Sequence, residues 1–339
     1  MTETVLVTGG TGFIGSWCVV ELLRRGHAVR TTVRNAAKEP ALRAAIASVV
    51  EPADRLTICV ADLKRDEGWA EAVAGCDRVL HVASPIGTES PRDPEALIAP
   101  AREGTLRVLR AATRARVARV VLTSSGAACS PAPDDPDGTH DETRWADPDA
   151  RGVTAYRRSK ILAERAAWDF MAEHGATTSL TTILPAWVLG PVLLTEALGS
   201  VQLIERLLTG ALLGVPDLGF NVVDVRDVAE LHVRAMTAPE AAGQRFLASG
   251  DFLWTAEVAE ILRRGLGERA RKVPRRRLPS FVLRAASLFE PALKNITPML
   301  GHRHDVTSTK AQRTLGWAPR SASACILDCA QSLLAHGAA

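Results

Sequence analysis

At 339 residues the chain is long enough for two domains, and with 47% hydrophobic and 23% charged residues it can bury a substantial core. A net charge of +3 provides no dense basic surface, which argues against a dedicated nucleic-acid binder. Strand-like residues begin almost at Met1 and no run of about eighteen apolar residues occurs. Neither a signal peptide nor a membrane span is therefore expected, and the chain reads as cytoplasmic.

The N-terminal half alternates short β-branched runs with helical patterns. Strands are predicted at 4–9, 27–34, 56–63, 77–84, 118–125 and 178–186, and helices at 13–25, 35–49, 94–114 and 154–174. Near-continuous apolar strands alternating with helices predict an α/β fold, a doubly wound parallel sheet of Rossmann type. Beyond Pro185 the pattern loosens into apolar, Gly-punctuated segments. Residues 220–236 read as a strand turning into a helix capped by Asp224 or Asp227, and 244–249 as a last strand of the main sheet. The expected organisation is a Rossmann domain at 1–185 with a returning segment 220–249. A smaller, mostly helical substrate domain is expected from 186–219 and 250–339.

The loop TGGTGFIG places Gly9, Gly12 and Gly15 directly after a strand and at the start of a helix. Glycine lets backbone approach a pyrophosphate closely, and the exposed N–H groups of the helix start meet its charge. Gly9, Thr11, Gly12, Phe13, Ile14 and Gly15 are the expected cradle. After the second strand, where a carboxylate would hold the ribose of NAD, stand Arg34 and Lys38. Two cations suit the additional 2′-phosphate, so NADP(H) is favoured.

Tyr156 is the single tyrosine of the chain, and Lys160 lies one helical turn beyond it. Residues at i and i+4 share a helix face, and a nearby ammonium favours the phenolate. Ser125, at the end of the fifth predicted strand, can donate a hydrogen bond to a substrate carbonyl. Strand C-terminal ends are where open α/β sheets bind ligands. Together with the glycine loop this predicts Ser125, Tyr156 and Lys160 as catalytic.

The combination resembles the extended short-chain dehydrogenase/reductases. The further motifs VRNAAK, LHVASP, DETRW, PAWVLGP, VVDVRDVAELHV and TKAQRTLGW resemble the branch of dihydroflavonol, cinnamoyl-CoA and methylglyoxal (carbonyl) reductases, from residue 5 to about 320. The resemblance implies NADPH-dependent reduction of an aldehyde or ketone, with Tyr156 as general acid, Lys160 on the nicotinamide ribose and Ser125 orienting the carbonyl. It further implies that Asp62 and Leu63 flank the adenine. Val82, Ala83 and Ser84 would pass behind the cofactor, and Pro185 and Val188 would border the nicotinamide. Ile86, Cys129, Trp187 and Leu189 are candidate lining residues of an apolar substrate pocket, with core packing as the competing reading.

Two other functions remain open: a nucleotide-sugar epimerase or dehydratase on the same fold, and a non-catalytic NADP sensor. The cysteines Cys18, Cys59, Cys76, Cys129, Cys325 and Cys329 have no CxxC spacing and read as reduced core residues. The segment GHRHD (301–305) reads as a polar turn without enough ligands for a metal, and no metal is expected. The basic run 271–277 reads as a solvated loop. The expected partner is a small carbonyl compound, with no nucleic acid or membrane, and the chain as monomer or homodimer.

Overall fold

The structure is a computed structural model that describes residues 2–85, 93–132, 135–195, 199–289, 293 and 296–337. In chain order the first half runs β1 (Thr4–Thr8), α1 (Phe13–Arg24), β2 (Ala28–Val33), α2 (Glu39–Ala47), β3 (Leu56–Val60), α3 (Trp69–Val73), β4 (Arg78–His81), α4 (Glu95–Arg114) and β5 (Arg119–Thr123). There follow β6 (Gly138–His140), α5 (Ala155–His174), β7 (Ser179–Pro185), β8 (Trp187–Leu189), α6 (Gln202–Thr209), β9 (Val215–Pro216) and β10 (Gly219–Asp224). The chain continues through α7 (Val225–Thr237), β11 (Arg245–Ala248), β12 (Phe252–Trp254), α8 (Thr255–Leu266), β13 (Arg277–Leu278) and α9 (Ser280–Ala286). It closes with β14 (His304–Val306), α10 (Thr309–Leu315) and α11 (Ala322–Ala335).

Seven strands form one parallel sheet in the order β3-β2-β1-β4-β5-β7-β11. Strand order reverses between β1 and β4, which opens a crevice at their C-terminal ends. Both faces are covered, as the apolar strands predict. Val5 and Val7 enter the core beneath α1 and α7, whereas Leu6 between them enters the core beneath α3, α4 and α5. Each such side chain contributes about 1.5–3 kcal/mol on burial. On the first face Trp317, 1% exposed, donates from Nε1 to the Asp227 carbonyl at 2.8 Å and fastens the segment after α10 to α7.

The expected strand–helix unit at 220–236 is present as β10 and α7, with Asp224 accepting from Arg226 N at 2.8 Å as the cap. β11 pairs with β7 at the edge of the main sheet, as expected for 244–249. β10 itself belongs to a three-stranded sheet, β12-β10-β8, while β9 pairs with β13 and β6 with β14. The C-terminal part is thus less purely helical than its pattern suggests. Strands of two or three residues are too short to show an alternation. A separate core joins α6, α8, β10 and α11, including Ile204, Leu207, Val222, Leu262 and Ile326. All six cysteines are free and all but Cys59 are buried. Cys325 and Cys329 lie in this second core, where burial pushes both thiols up, Cys329 to about 12.

Candidate active site

The glycine loop sits at the reversal point, and each glycine has its own reason. Gly9 has φ +74° and lies against Ala83, where an added Cβ would come within 3.0 Å of the alanine Cβ. A Cβ on Gly15 would stand 2.2 Å from the Gly9 carbonyl oxygen, so only glycine lets α1 close onto the loop. A Cβ on Gly12 would meet nothing nearer than the Gly9 oxygen at 3.2 Å, so its other side is clear. Gly12 also caps α1 without a side-chain bond, and the first turn holds no acidic residue. The N–H groups at Phe13 and Ile14 are thereby left to a ligand or water. Thr11 is half-buried in the loop between Gly9 and Gly12. The cradle accordingly fits a dinucleotide pyrophosphate.

Thr8 links this loop to the next strand, a role the sequence reading missed. Its hydroxyl oxygen accepts from Val82 N at 3.0 Å and Ala83 N at 2.9 Å, and lies 2.9 Å from Nδ1 of His81. With both lone pairs used, the hydroxyl proton points to Nδ1, which places the imidazole proton on Nε2. Burial, and secondarily Lys160, lowers the His81 pKa to about 3, so the ring is neutral. Ser84 follows, and its Oγ accepts from Lys160 Nζ at 2.9 Å.

Lys160 and Tyr156 lie on α5, which Thr154 starts by accepting from Arg157 N at 3.2 Å. The ammonium is 5.9 Å from the centre of the tyrosine ring. Lys160 is 8% exposed and Tyr156 39%, so the lysine is sunk beneath the helix while the phenol reaches open space. Ser125 lies two residues past the end of β5, its Oγ accepting from Ala127 N at 3.2 Å. A Cβ on Gly126 would lie 3.2 Å from the Pro185 oxygen, which brings the end of β7 beside the serine. The chain just past β4 thus meets α5 through the Lys160–Ser84 bond, with the ends of β5 and β7 side by side.

Behind Ser125 lies an ion pair also missed by the sequence reading. Glu164, one turn past Lys160, is completely buried and accepts from Ser124 Oγ at 2.6 Å, Thr182 Oγ1 at 2.9 Å and Arg245 Nε at 2.9 Å. The spacing Tyr156–Lys160–Glu164 on one helix face was legible; its partner Arg245, on β11, was not. His232 is likewise buried. Its Nδ1 donates to the Val228 carbonyl at 2.7 Å and its Nε2 lies 2.7 Å from Thr123 Oγ1, with burial lowering its pKa to about 4.

Arg34 is exposed past the end of β2, and its side chain has no hydrogen bond or ion pair among the described residues. Lys38 is half-buried four residues on. Asn35 between them caps the short turn Ala36–Lys38 by accepting from Ala37 N at 2.9 Å. Asp62 accepts from Lys64 N at 3.0 Å, and its carbonyl accepts from Trp69 Nε1 at 3.1 Å. Leu63 fills the space over Gly104 of α4.

The substrate-pocket expectations need correction. Cys129 and Leu189 have no exposed surface and sit in two different cores, so core packing is what they do. Burial pushes the Cys129 thiol up to about 12. Pro185 and Val188 are also buried. Trp187 is half-buried, packed at 5.1 Å against Phe220 and donating from Nε1 to the Ser200 carbonyl at 2.7 Å. Ile86 lies outside the described residues. The polar segment 301–305 is not isolated either: Asp137 reaches His302, with 3.3 Å between Oδ1 and Nδ1. The basic run 271–277 is exposed except at Val273 and Pro274, as expected for a solvated segment, but its last residue, Arg277, opens β13 rather than lying in a loop. Among the described residues no helix is long and apolar enough to cross a membrane.

Comparison with known proteins agrees with this architecture. The family model of NAD-dependent epimerases/dehydratases matches residues 5–248, from β1 through β11. The chain belongs to this family. Within the epimerase/dehydratase family it falls in the branch of cinnamoyl-CoA and dihydroflavonol reductases. It is 41% identical to cinnamoyl-CoA reductase 1 of Petunia hybrida over 263 residues, 77% of this chain and 76% of the relative. It is 33% identical to dihydroflavonol 4-reductase of Gerbera hybrida over 268 residues, 77% of this chain and 72% of that one. The crystal structure of yeast methylglyoxal/isovaleraldehyde reductase Gre2, complexed with NADPH, matches with a TM-score of 0.80 at 25% identity, covering 99% of this chain and all of that one.

Proposed function

We propose that the protein is an NADPH-dependent reductase that converts an aldehyde, ketone or related carbonyl compound to the alcohol. The observation that carries this is the Lys160–Ser84 hydrogen bond. It couples the helix bearing Tyr156 to the strand end that packs on the glycine loop. NADPH, when bound, supplies the hydride. The residues that would hold it are the open cradle at Gly12, Phe13 and Ile14, Val82 to Ser84 beside it, and Arg34 and Lys38 at the 2′-phosphate. Its adenine would rest by Asp62 and Leu63.

In this reading Ser125 donates a hydrogen bond to the substrate carbonyl oxygen, which polarises the carbonyl and fixes its face. The Tyr156 hydroxyl gives its proton to the same oxygen as charge develops there. Lys160, held by Ser84, stabilises the phenolate left behind and is placed to bond the ribose. Tyr156 is the more exposed member of the pair because the substrate must reach its oxygen. The relatives' names suggest the carbonyl class: dihydroflavonols or short 2-oxoaldehydes, reduced to the alcohol, or acyl-CoA thioesters, for which hydride transfer releases CoA as the thiol and leaves the aldehyde.

The test follows NADPH and NADH consumption in parallel against cinnamoyl-CoA, a dihydroflavonol, methylglyoxal and aromatic aldehydes. Turnover with NADPH well above NADH is expected for at least one of them. Tyr156→Phe should abolish turnover while NADPH still binds by fluorescence titration. Undiminished turnover in Tyr156→Phe removes the proposed acid.

A further inference from the structure

Parallel pairing of β6 with β14 sets Gly138 opposite His304 and His140 opposite Val306. Asp137, just before β6, is thereby carried to the two histidines that flank Arg303. Its Oδ1 lies 3.3 Å from His302 Nδ1 across 165 residues of sequence. The two imidazoles stack with centroids 5.5 Å apart. One ligand atom from each of the three side chains lies within 4.8 Å of the other two.

Two imidazole nitrogens and a carboxylate oxygen are the donor set of borderline divalent metals, and nitrogen donors disfavour magnesium and calcium. Bonds of about 2.1 Å bring tetrahedral donors to about 3.4 Å from one another, so closing the site takes rotations of about an ångström. These side chains have room to make them: Asp137 is exposed, His302 and His304 are half-buried, and His304 gives up only a 3.3 Å contact to the Asp135 carbonyl. Arg303, the cation between the histidines, does not block the site. It pairs with Asp305 at 3.4 Å and lies over the Phe252 ring at 4.8 Å.

His140, on β6, stands outside this set of donors. His140 Nε2 is shielded from solvent and has no hydrogen-bond partner among the described residues. A Cβ at Gly138 would lie 3.8 Å from this nitrogen, so the ring leans along the strand toward the position opposite His304.

We propose that Asp137, His302 and His304 form a binding site for a divalent metal ion of the zinc class, with solvent completing its coordination and His140 at its flank. A metal there would staple the segment following Ser125 to the C-terminal strand β14. That segment is already tied to the catalytic helix, because Arg157 Nη2 donates to the carbonyls of Ser130 and Pro131 at 3.0 and 2.9 Å. The occupied site would therefore stiffen one wall of the cleft from outside it.

The test uses tag-free full-length protein treated with EDTA and titrated with zinc chloride by calorimetry. Cobalt(II) absorption reports the coordination geometry. Saturable binding of about one equivalent is expected, with a zinc-dependent rise in the melting temperature. Asp137→Asn and His302→Ala should each weaken binding about tenfold or more and remove that rise. His174→Ala, a surface histidine at the end of α5, should leave both unchanged. Absence of saturable binding overturns the proposal, as does equal binding in Asp137→Asn and His302→Ala or equal weakening in His174→Ala. The readout is metal binding, so the result stands whatever the carbonyl substrate proves to be.

Discussion

Glu164→Gln removes one charge of the buried ion pair between α5 and β11 while keeping the side-chain volume. In the native protein the Glu164 and Arg245 side chains are 0% and 8% exposed. The carboxylate accepts from Ser124, Thr182 and both Nε and Nη2 of Arg245. The guanidinium is also fixed from outside, stacked 3.6 Å from the Trp145 ring and donating to the carbonyls of Glu142 and Arg144. It cannot follow a lost partner into water. A glutamine amide nitrogen offers a donor to a guanidinium donor, so Arg245 is left charged and under-satisfied. Removing one member of such a pair costs about 3–5 kcal/mol. An unfolding entropy of about 2.1 cal/mol/K per residue gives about 0.7 kcal/mol per degree for 339 residues. The melting temperature should then fall by about 4–7 °C, read by circular dichroism or calorimetry. Arg245→Met alone should cost a comparable amount, because it leaves the carboxylate unpaired. The double variant should be less destabilised than the sum of the two by at least about 1 kcal/mol. A drop of less than about 1 °C in Glu164→Gln, or strict additivity, would refute the buried-pair reasoning.

Gly15→Ala drives a methyl group against the Gly9 carbonyl at 2.2 Å, which is backbone and cannot rotate away. NADPH affinity measured by fluorescence should fall by about tenfold or more, and unchanged affinity would mean that the loop tolerates a wider gap than the structure shows. Arg34→Ser should raise the NADPH KM about tenfold and leave the NADH KM within about twofold, since only one coenzyme carries the 2′-phosphate. Equal effects on both coenzymes would place Arg34 elsewhere. The acid limb of stability should reflect His81 and His232, whose folded pKa values, about 3 and about 4, lie below the ordinary 6.5. The unfolded chain binds their protons first, so the stability they contribute is present above about pH 6.5 and is lost as pH falls through the range below it. Melting temperatures from pH 7.5 down to pH 4.5 should decline, and His232→Asn should decline less steeply; a slope unaltered by the substitution would exclude His232 from that proton uptake.

The main sheet was legible because its strands are short and continuously apolar, its helices are amphipathic, and glycines punctuate the first turn. Those are local signals, and a residue such as Leu6 carries them whatever surrounds it. The catalytic candidates were legible for the same reason, since a one-turn spacing on a helix puts Tyr156 and Lys160 on one face without knowledge of the rest. Local spacing could not say which apolar residues beside the site are reachable. Cys129 and Leu189 look like pocket residues in sequence, yet they are sealed in cores whose other walls come from distant segments. Nor could it reveal that Thr8 orients the strand end of β4, that Arg245 neutralises Glu164, or that Asp137 meets His302. In each case the partners lie 73 to 165 residues apart and no periodicity links them. Pattern along the chain decided the sheet, the glycine loop and the helix face that Tyr156 and Lys160 share. Only the packing of remote segments decided which polar groups are satisfied, because a hydrogen bond or an ion pair depends on distance in space and leaves no period in the sequence.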